Sequence, residues 1–509
     1  MITADTIPTR LFRDISMNTL QVLFNQLLGV FIFLLLSRYL DKEGYGELNW
    51  SLAVLTFITT ILSLRLEQIV VRDVAAGKDP STMLTLFFAH NVMLGLLFFG
   101  LLLGANFLFP VAFHRHSILW ILSISQLLTF FALPFRQLAT GKSAFGWLAV
   151  LSLVSNLIRC VWLAWLVTFS VLTIPRVLIV FTVSALAEFV LGGYIVLGRL
   201  RVPLRRRTPF SGYGQLIKGS LPQVGVVFLN AGIARIDWIL MGVFSTPAHT
   251  AEYSFAYRAY EFSPLPLLVL APFLLNSFSR LFGGSPAGMD ASDRGPGPAP
   301  TLPSWLNGFV RLSAIFATLL PLWLVLAWSP LIDLVTAHKY GQVNALTFLV
   351  LSACIPFQYL INIFWSAEFA ANRLGRILVI TAITGGIVVA GDCLFIPLYA
   401  GQGAAGVYLV AMIVQCILYS TTSLFAARTA WAWNRQMLLS VIIAVVSGGL
   451  AIGMTGSVFL RLAIASLLYG VFTWAAGCLD RNDFLLLKQH WDRRSSSSLY
   501  PLREKIVGK

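Results

Sequence analysis

The strongest constraint in this sequence is a succession of about fourteen long apolar runs, each near the roughly 20 residues that a helix needs to cross a bilayer. Of the 509 residues, 58% are hydrophobic and only 11% are charged, against roughly 25% charged in soluble domains. A globular fold could not hide so much apolar surface from water. The sequence therefore predicts an all-α multi-pass membrane protein, and it excludes nucleic-acid binding as the main role.

The distribution of basic residues predicts the topology. If the N-terminus lies inside, the inner loops and tails hold most of the 36 Lys and Arg residues, which is the bias expected of cytoplasmic segments. Both termini are therefore predicted to be cytoplasmic. No cleavable signal peptide is predicted, because the first apolar run follows a polar segment and is too long for the apolar part of such a peptide.

Similar segments recur in the two halves of the chain. "GYGELNWSLA" precedes the second run and "AEYSFAYRAYE" the eighth, while "QLATGKSAF" follows the fourth and "AANRLGRIL" the tenth. Six runs per copy is an even number, so both copies enter the membrane from the same side. Transporters with parallel repeats bind substrate between the repeats, near the bilayer midplane. We therefore predict two parallel six-helix repeats around a central cavity, followed by two C-terminal helices.

This pattern divides the chain into six segments. They are a cytosolic N-terminus (1–17), a first six-helix lobe (18–198), a basic cytosolic linker (199–218), a second six-helix lobe (219–428), two additional helices (437–479) and a basic cytosolic tail (480–509). A Gly/Pro-rich insertion, "GGSPAGMDASDRGPGPAP", lengthens the second lobe. The linker and the tail are interpreted as positive-inside topology signals.

Charged residues inside the apolar runs are the candidate functional residues, because a charge in the hydrocarbon core is costly and normally faces a partner or a water-filled cavity. Arg159 and Glu188 lie near the middle of adjacent antiparallel runs and are predicted to meet. Arg65 and Glu67 are two positions apart, so they point to different faces of a helix. Arg65 therefore needs another partner, and it is the cation that we most expect to meet an anionic ligand group.

The same reasoning gives two sets of candidates. The candidates for contact with substrate in a cavity are Arg65, Arg159, Arg235, Arg258 and Asn25. The candidates for ion coupling or charge pairing are Glu67, Glu188, Asp237, Glu261 and Asp392. Arg258 can pair within its own helix with Glu261 or across helices with Asp237. A purely structural role for these charges stays an alternative.

Several motifs of catalysis and energy coupling are missing from the sequence. Without a GxxxxGK[ST] loop, ATP is not expected to drive transport through this chain. The His residues are scattered, and the five cysteines lie in apolar runs without CxxC spacing, so neither a metal site nor a disulfide framework is predicted. The loops are too short for a glycosyltransferase or polymerase domain. We therefore predict a protein that is not an enzyme and needs no cofactor.

Three blocks of the sequence resemble the polysaccharide (Wzx-type) flippases of the MOP exporter superfamily. They are "SRYLDKEGYGELNWSLAV" with "LRLEQIVVRDVA", then "GSLPQVGVVFLNAGIARIDWILMGVF" with "AEYSFAYRAYEF" and "APFLLNSFSRL", and finally "NRLGRILVITAITGGIVVAGDCLFIPLYAGQGAAGVYLV". Asp237, Tyr253, Ala256 and Pro272 stand where the family pattern has them. Arg65 is a departure, since the family usually has Gly there.

The resemblance implies a bacterial inner-membrane flippase that moves an undecaprenyl-diphosphate-linked oligosaccharide to the outer leaflet for O-antigen, exopolysaccharide or capsule synthesis. It implies alternating access without ATP. The implied partners are the lipid-linked oligosaccharide, membrane lipid, a polysaccharide polymerase and glycosyltransferases. Three alternatives stay open: a cation-coupled multidrug or small-molecule exporter, a lipid II flippase of the same superfamily, and a non-transporting scaffold for a polysaccharide synthase.

Overall fold

The computed structural model describes residues 8–110, 117–205, 210–263, 266–267, 274–275, 277–279, 304–423, 425, 427–454 and 456–478. Within these residues every regular element is helical. The first elements are α1 (Pro8–Tyr39), α2 (Lys42–Leu62), α3 (Leu66–Ala75), α4 (Pro80–Leu108), α5 (Ser117–Gly141), α6 (Phe145–Thr168) and α7 (Ile174–Gly193). The later elements are α8 (Phe210–Phe244), α9 (Pro247–Tyr260), α10 (Ser304–Thr336), α11 (Ala345–Ser352), α12 (Ile355–Ala370), α13 (Leu374–Thr422), α14 (Ala427–Ile452) and α15 (Val458–Ala475).

The helices confirm a multi-pass membrane protein. Among the described residues, nine helices are long and apolar enough to cross a bilayer, and the bent pair of α2 and α3 makes a tenth. α13 is 49 residues long and breaks at Ala400 (φ 47°), so it holds both the eleventh and the twelfth predicted spans. The total of fourteen stays a prediction, because part of the predicted eighth span lies outside the described residues. The Gly/Pro-rich insertion and the predicted tail 480–509 lie outside them as well.

Contacts between the helices divide the chain into two compact units, Met1–Ser254 and Phe255–Lys509. The division falls within α9, because α8 packs against α2 and therefore groups with the first six predicted spans. The predicted lobes, the central cavity between them and the boundary at the linker 199–218 stay predictions.

One hydrophobic cluster of the first unit lies where the short helix α3 meets α4 and α5. Buried residues of α3, among them Leu66 and Val70, recur at helical spacing and form one apolar face. This face packs against Leu84 and Phe87 of α4 and Leu138 of α5. The packing fixes α3 at an angle to α2, so it supports the bend in the second predicted span.

In the second unit, the two C-terminal helices pack against α10. The Tyr469 hydroxyl of α15 lies 2.6 Å from the Thr318 hydroxyl of α10, and the Trp323 indole of α10 donates to Ser466 of α15 at 2.8 Å. Hydrogen bonds of this kind hold helices together in lipid, where apolar contact alone gives little preference for protein over lipid. The two additional predicted helices therefore pack against the ninth predicted span.

The helices α2 and α8 approach each other closely at Gly242. Trp50 of α2 is buried there and donates its indole N–H to the Ile239 carbonyl at 3.1 Å. A Cβ at position 242 would lie 1.9 Å from Cδ1 of this indole ring. Only glycine leaves room for the ring at this crossing.

We therefore expect Gly242→Ala to lower the free energy of unfolding by about 1–3 kcal/mol, the usual cost of overpacking. The indole ring has to move and loses its hydrogen bond to Ile239. Gly232→Ala on the same helix is the matched control, because a Cβ at Gly232 has no atom within 4 Å and alanine favours a helix. Thermal unfolding in detergent measures both variants, and equal midpoints would contradict the close packing.

Candidate functional site

The predicted second span is broken between α2 and α3. The two helices are bent by 49°, and the turn between them holds Leu64 and Arg65 at φ angles of 48° and 61°. A left-handed conformation costs a non-glycine residue on the order of 1–3 kcal/mol and is often found at functional sites. The surrounding structure must therefore hold this turn against a regular helix.

Arg65 lies in this turn and immediately precedes α3. Its side chain is half-buried, and within the described part of the chain it makes no hydrogen bond or ion pair. In the first turn of α3, the Oε2 atom of Glu67 is buried and has no hydrogen-bond partner among the described residues. A guanidinium in this state keeps its fork of N–H donors available for an anion, and contact of Arg65 with an anionic ligand stays a prediction.

A second group of polar residues lies inside the first unit, and we call it the buried polar layer. It is formed by Asn25 of α1, Arg136 of α5, Asn156 and Arg159 of α6, and Ser184 and Glu188 of α7. Three of the predicted candidates, Asn25, Arg159 and Glu188, are brought together in it.

The charges of the buried polar layer are two arginines and one carboxylate. Arg136 makes the direct ion pair with Glu188, whereas the sequence predicts Arg159 as its partner. Arg159 instead donates Nε–H to the Ser184 hydroxyl at 2.7 Å and lies 4.8 Å from the centre of the Phe181 ring. It remains within electrostatic range of Glu188, so the cluster carries an excess positive charge.

The buried polar layer reaches α1 through a pair of amides. Asn156 donates to the side-chain oxygen of Asn25 at 3.1 Å. Asn156 and Arg159 are three positions apart on α6 and so lie on the same face. The predicted candidate Asn25 of the first span is therefore linked to the charged cluster.

A third set of contacts joins α2, α8 and α9 within the first unit, and we call it the α2–α8–α9 seam. Lys42 pairs with Glu252 at 2.8 Å, and a Cβ at Gly46 would lie 1.8 Å from the Pro247 carbonyl oxygen. These two contacts lie at the end of α2 that is predicted to face outside.

Two of the predicted charged candidates lie in this seam, on α8. Asp237 is buried and accepts a hydrogen bond from the Tyr253 hydroxyl at 2.5 Å. Arg235 lies 5.0 Å from the centre of the Trp238 ring.

The remaining candidates lie in the second unit. Arg258 pairs with Glu261 at 2.9 Å, which is one of the two pairings left open by the sequence. Asp392 is fully buried inside α13. Glu368 of α12 is also buried and lies 3.6 Å from Arg376 of α13.

Several polar residues of these sites are not among the predicted candidates. Arg136 lies near the end of an apolar run and is counted from the sequence among the basic residues of an inner loop. The spacing of Asn156 and Arg159 is the one sequence signal that favours a shared face. His90, in the third run, looks isolated in the sequence, yet it contacts the broken end of α2 and Tyr213 of α8.

A family model described as "Polysaccharide biosynthesis protein" matches residues 11–275, which is more than half of the chain. The chain belongs to this family. The resemblance found in the sequence is thereby confirmed for polysaccharide biosynthesis proteins. No curated protein matches the sequence significantly.

Solved structures that are similar to this polysaccharide biosynthesis protein include a lipid II flippase and two transporters of the MOP superfamily. A structure titled "Lipid II flippase MurJ, inward closed conformation" has a TM-score of 0.66 at 14% identity, over 90% of this chain and 97% of that chain. An inward-facing multidrug resistance MATE transporter has a TM-score of 0.60 at 11% identity, over 81% of this chain and 96% of that chain. A MOP superfamily transporter from Pyrococcus furiosus has a TM-score of 0.53 at 12% identity, over 84% of this chain and 95% of that chain. That structure's title reports a binding pocket of reverse polarity.

At these identities the likeness establishes the fold. The family is one of polysaccharide biosynthesis proteins and the fold is one that flippases and transporters also have, while the role and the cargo are left to be argued from the charges of the site.

Proposed function

We propose that this protein flips an undecaprenyl-diphosphate-linked oligosaccharide from the cytosolic to the outer leaflet of the bacterial inner membrane, with both termini in the cytoplasm. Glycosyltransferases would supply the cargo and a polysaccharide polymerase would use it. The observation that carries this proposal is Arg65, a half-buried cation in a strained break that makes no ion pair within the described residues.

The chemistry of Arg65 suits a diphosphate. Arginine stays charged under all physiological conditions and binds phosphate oxygens with two parallel hydrogen bonds. The attraction between such charges is larger in a site of low dielectric constant than in water. An arginine whose donors are not used within the described part of the chain can offer this interaction to an entering anionic headgroup.

The buried polar layer supports an anionic rather than a cationic cargo. A transporter of cationic drugs would be expected to carry an excess of carboxylates in its interior, whereas here two arginines share one carboxylate. This excess positive charge favours a flippase over a cation-coupled multidrug exporter, which is the second candidate.

Alternating access gives the α2–α8–α9 seam a role in the proposed cycle. The seam ties α8, which follows the predicted linker, to α2 of the first six predicted spans. If the cargo leaves towards the outside between the two halves, these contacts have to open in each cycle. The residues of the seam are therefore expected to control the rate of transport rather than to bind the headgroup.

The test of this proposal is the substitution of Arg65. We expect Arg65→Ala to lower the flipping of undecaprenyl-diphosphate-linked oligosaccharide in reconstituted vesicles by at least about tenfold, the loss of roughly one charge-assisted hydrogen bond. Arg65→Lys keeps the positive charge but cannot form two parallel hydrogen bonds to phosphate, so its flipping rate should lie between those of the wild type and Arg65→Ala. Arg176→Ala, which removes an exposed arginine at the predicted outer end of α7, is the control and should flip normally.

Two results would count against the proposal. Normal flipping by Arg65→Ala, at equal protein per vesicle, would show that Arg65 does not meet the cargo. Flipping of lipid II, or export of a cationic drug, in vesicles that do not flip the undecaprenyl-linked oligosaccharide would favour the corresponding alternative.

A further inference from the structure

The break in the second predicted span takes the usual hydrogen-bond donor away from the Leu62 carbonyl. In a regular helix the Leu62 carbonyl would accept from the Leu66 N–H, four residues on. Here the Leu66 N–H donates to the Ser63 carbonyl at 3.0 Å. Because a buried carbonyl without a hydrogen bond costs free energy, something else has to satisfy Leu62 if the break is to persist.

His90 of α4 supplies this hydrogen bond. It is only 1% exposed, and its Nε2 lies 2.8 Å from the Leu62 oxygen, while its Nδ1 lies 2.9 Å from the Tyr213 hydroxyl. A carbonyl only accepts, so Nε2 must carry a hydrogen. In the neutral ring Nδ1 then accepts from the Tyr213 hydroxyl, and both ring nitrogens are used.

We propose that His90 is a positioning residue that holds the break open, and with it Arg65, by binding the Leu62 carbonyl, while Tyr213 fixes the orientation of the ring. This proposal rests on the proposed function only in that Arg65 contacts the anionic headgroup. His90 acts through the backbone and does not contact the cargo.

The physical reason is a competition between two partners for one carbonyl. If His90 releases the Leu62 oxygen, the Leu66 N–H becomes its natural donor, and that hydrogen bond continues α2 through the turn. Residue 65 then leaves the left-handed conformation, which is costly for any side chain except glycine. The guanidinium of Arg65 would consequently point in another direction from the helix.

The first test is independent of any cargo. Hydrogen exchange of the segment 61–69 is compared in the wild type, His90→Leu, His90→Gln and Tyr213→Phe, because exchange reports local opening. We expect a several-fold change in exchange in His90→Leu. His90→Gln, whose amide can still donate to Leu62, should stay close to the wild type, and Tyr213→Phe should be intermediate. Identical exchange in all four proteins would overturn the proposal, whatever the protein transports.

The second test measures flipping of the undecaprenyl-linked oligosaccharide in vesicles. His90→Leu alone should lower the rate about tenfold, as the loss of one buried hydrogen bond predicts, and His90→Gln should restore most of it. In an Arg65→Ala background, His90→Leu should cause little further loss, because contacts that act through one group are not additive.

The outcomes of the two tests separate this proposal from the proposed function. Full additivity of His90→Leu and Arg65→Ala would overturn the positioning role. If Arg65→Ala flips normally but exchange still responds to His90→Leu and not to His90→Gln, then the proposed function fails while the hold of His90 on the break is supported.

Discussion

Glu188→Gln is expected to destabilise the first unit strongly, because it leaves Arg136 and Arg159 together in an apolar bundle without their carboxylate. Breaking a buried ion pair by removing one partner typically costs roughly 3–5 kcal/mol. The Arg136 side chain is 35% exposed, whereas that of Glu188 is 5% exposed. We therefore expect a value near the lower end of that range, measured as the midpoint of chemical or thermal unfolding in detergent, together with less protein in the membrane.

The matched control for Glu188→Gln is the double variant in which Arg136→Gln is added. Removing the excess guanidinium should recover part of the lost stability, so that the double variant is more stable than Glu188→Gln alone. Such an interaction between two substitutions measures the coupling of the pair. If the two substitutions destabilise the protein additively, Arg136 and Glu188 do not act as a buried pair, and the buried polar layer loses its central contact.

The membrane fold can be predicted from this sequence because apolar runs of spanning length have few alternatives to a helix in lipid. The break in the second predicted span could not be predicted in the same way. Its segment "ILSLRLEQ" contains neither Gly nor Pro, the residues that usually mark a turn. The left-handed Leu64 and Arg65 depend on tertiary contacts such as that of His90 with Leu62, which local sequence does not contain.

The site is predictable in its residues but less so in their partners. A charge inside an apolar run can be recognised from the sequence alone, which is how Arg65, Arg159 and Glu188 are found. Which cation meets Glu188 depends on the rotation and tilt of α5, α6 and α7, and packing sets both of these. Arg136 near the end of its run therefore pairs with Glu188, and Arg159 turns to Ser184.

The grouping of α8 with the first six predicted spans is a further feature that an internal repeat does not predict. The repeat relates two copies of a sequence, but it does not state which helices touch in one conformation. Here the contact of α8 with α2 depends on Gly242, which leaves room for the Trp50 indole, and Gly46 likewise lets α2 approach the backbone of α9. A transporter that alternates between two arrangements would be expected to gain and lose this contact.

Locking the α2–α8–α9 seam is therefore expected to abolish transport. Lys42 and Glu252 lie 2.8 Å apart at their charged ends, with side chains 31% and 19% exposed, so cysteines at both positions are within reach of a short bismaleimide. We expect the cross-linked Lys42→Cys/Glu252→Cys protein to lose at least about 90% of its flipping, because a step that requires separation of the two sides lies on every transport cycle. The exposed Cys393 is first replaced by serine, since the other four cysteines are buried.

The control for this experiment is the same double variant treated with a monofunctional maleimide, which modifies both cysteines without joining them. Its rate should stay close to that of the untreated variant, because modification without a cross-link leaves the two sides of the seam free to separate. A short reducible linker gives a second control, since cleavage should restore flipping. If the cross-linked protein flips at the rate of the monofunctional control, the seam stays closed throughout transport, and the cargo must leave by a path that does not separate α2 from α9.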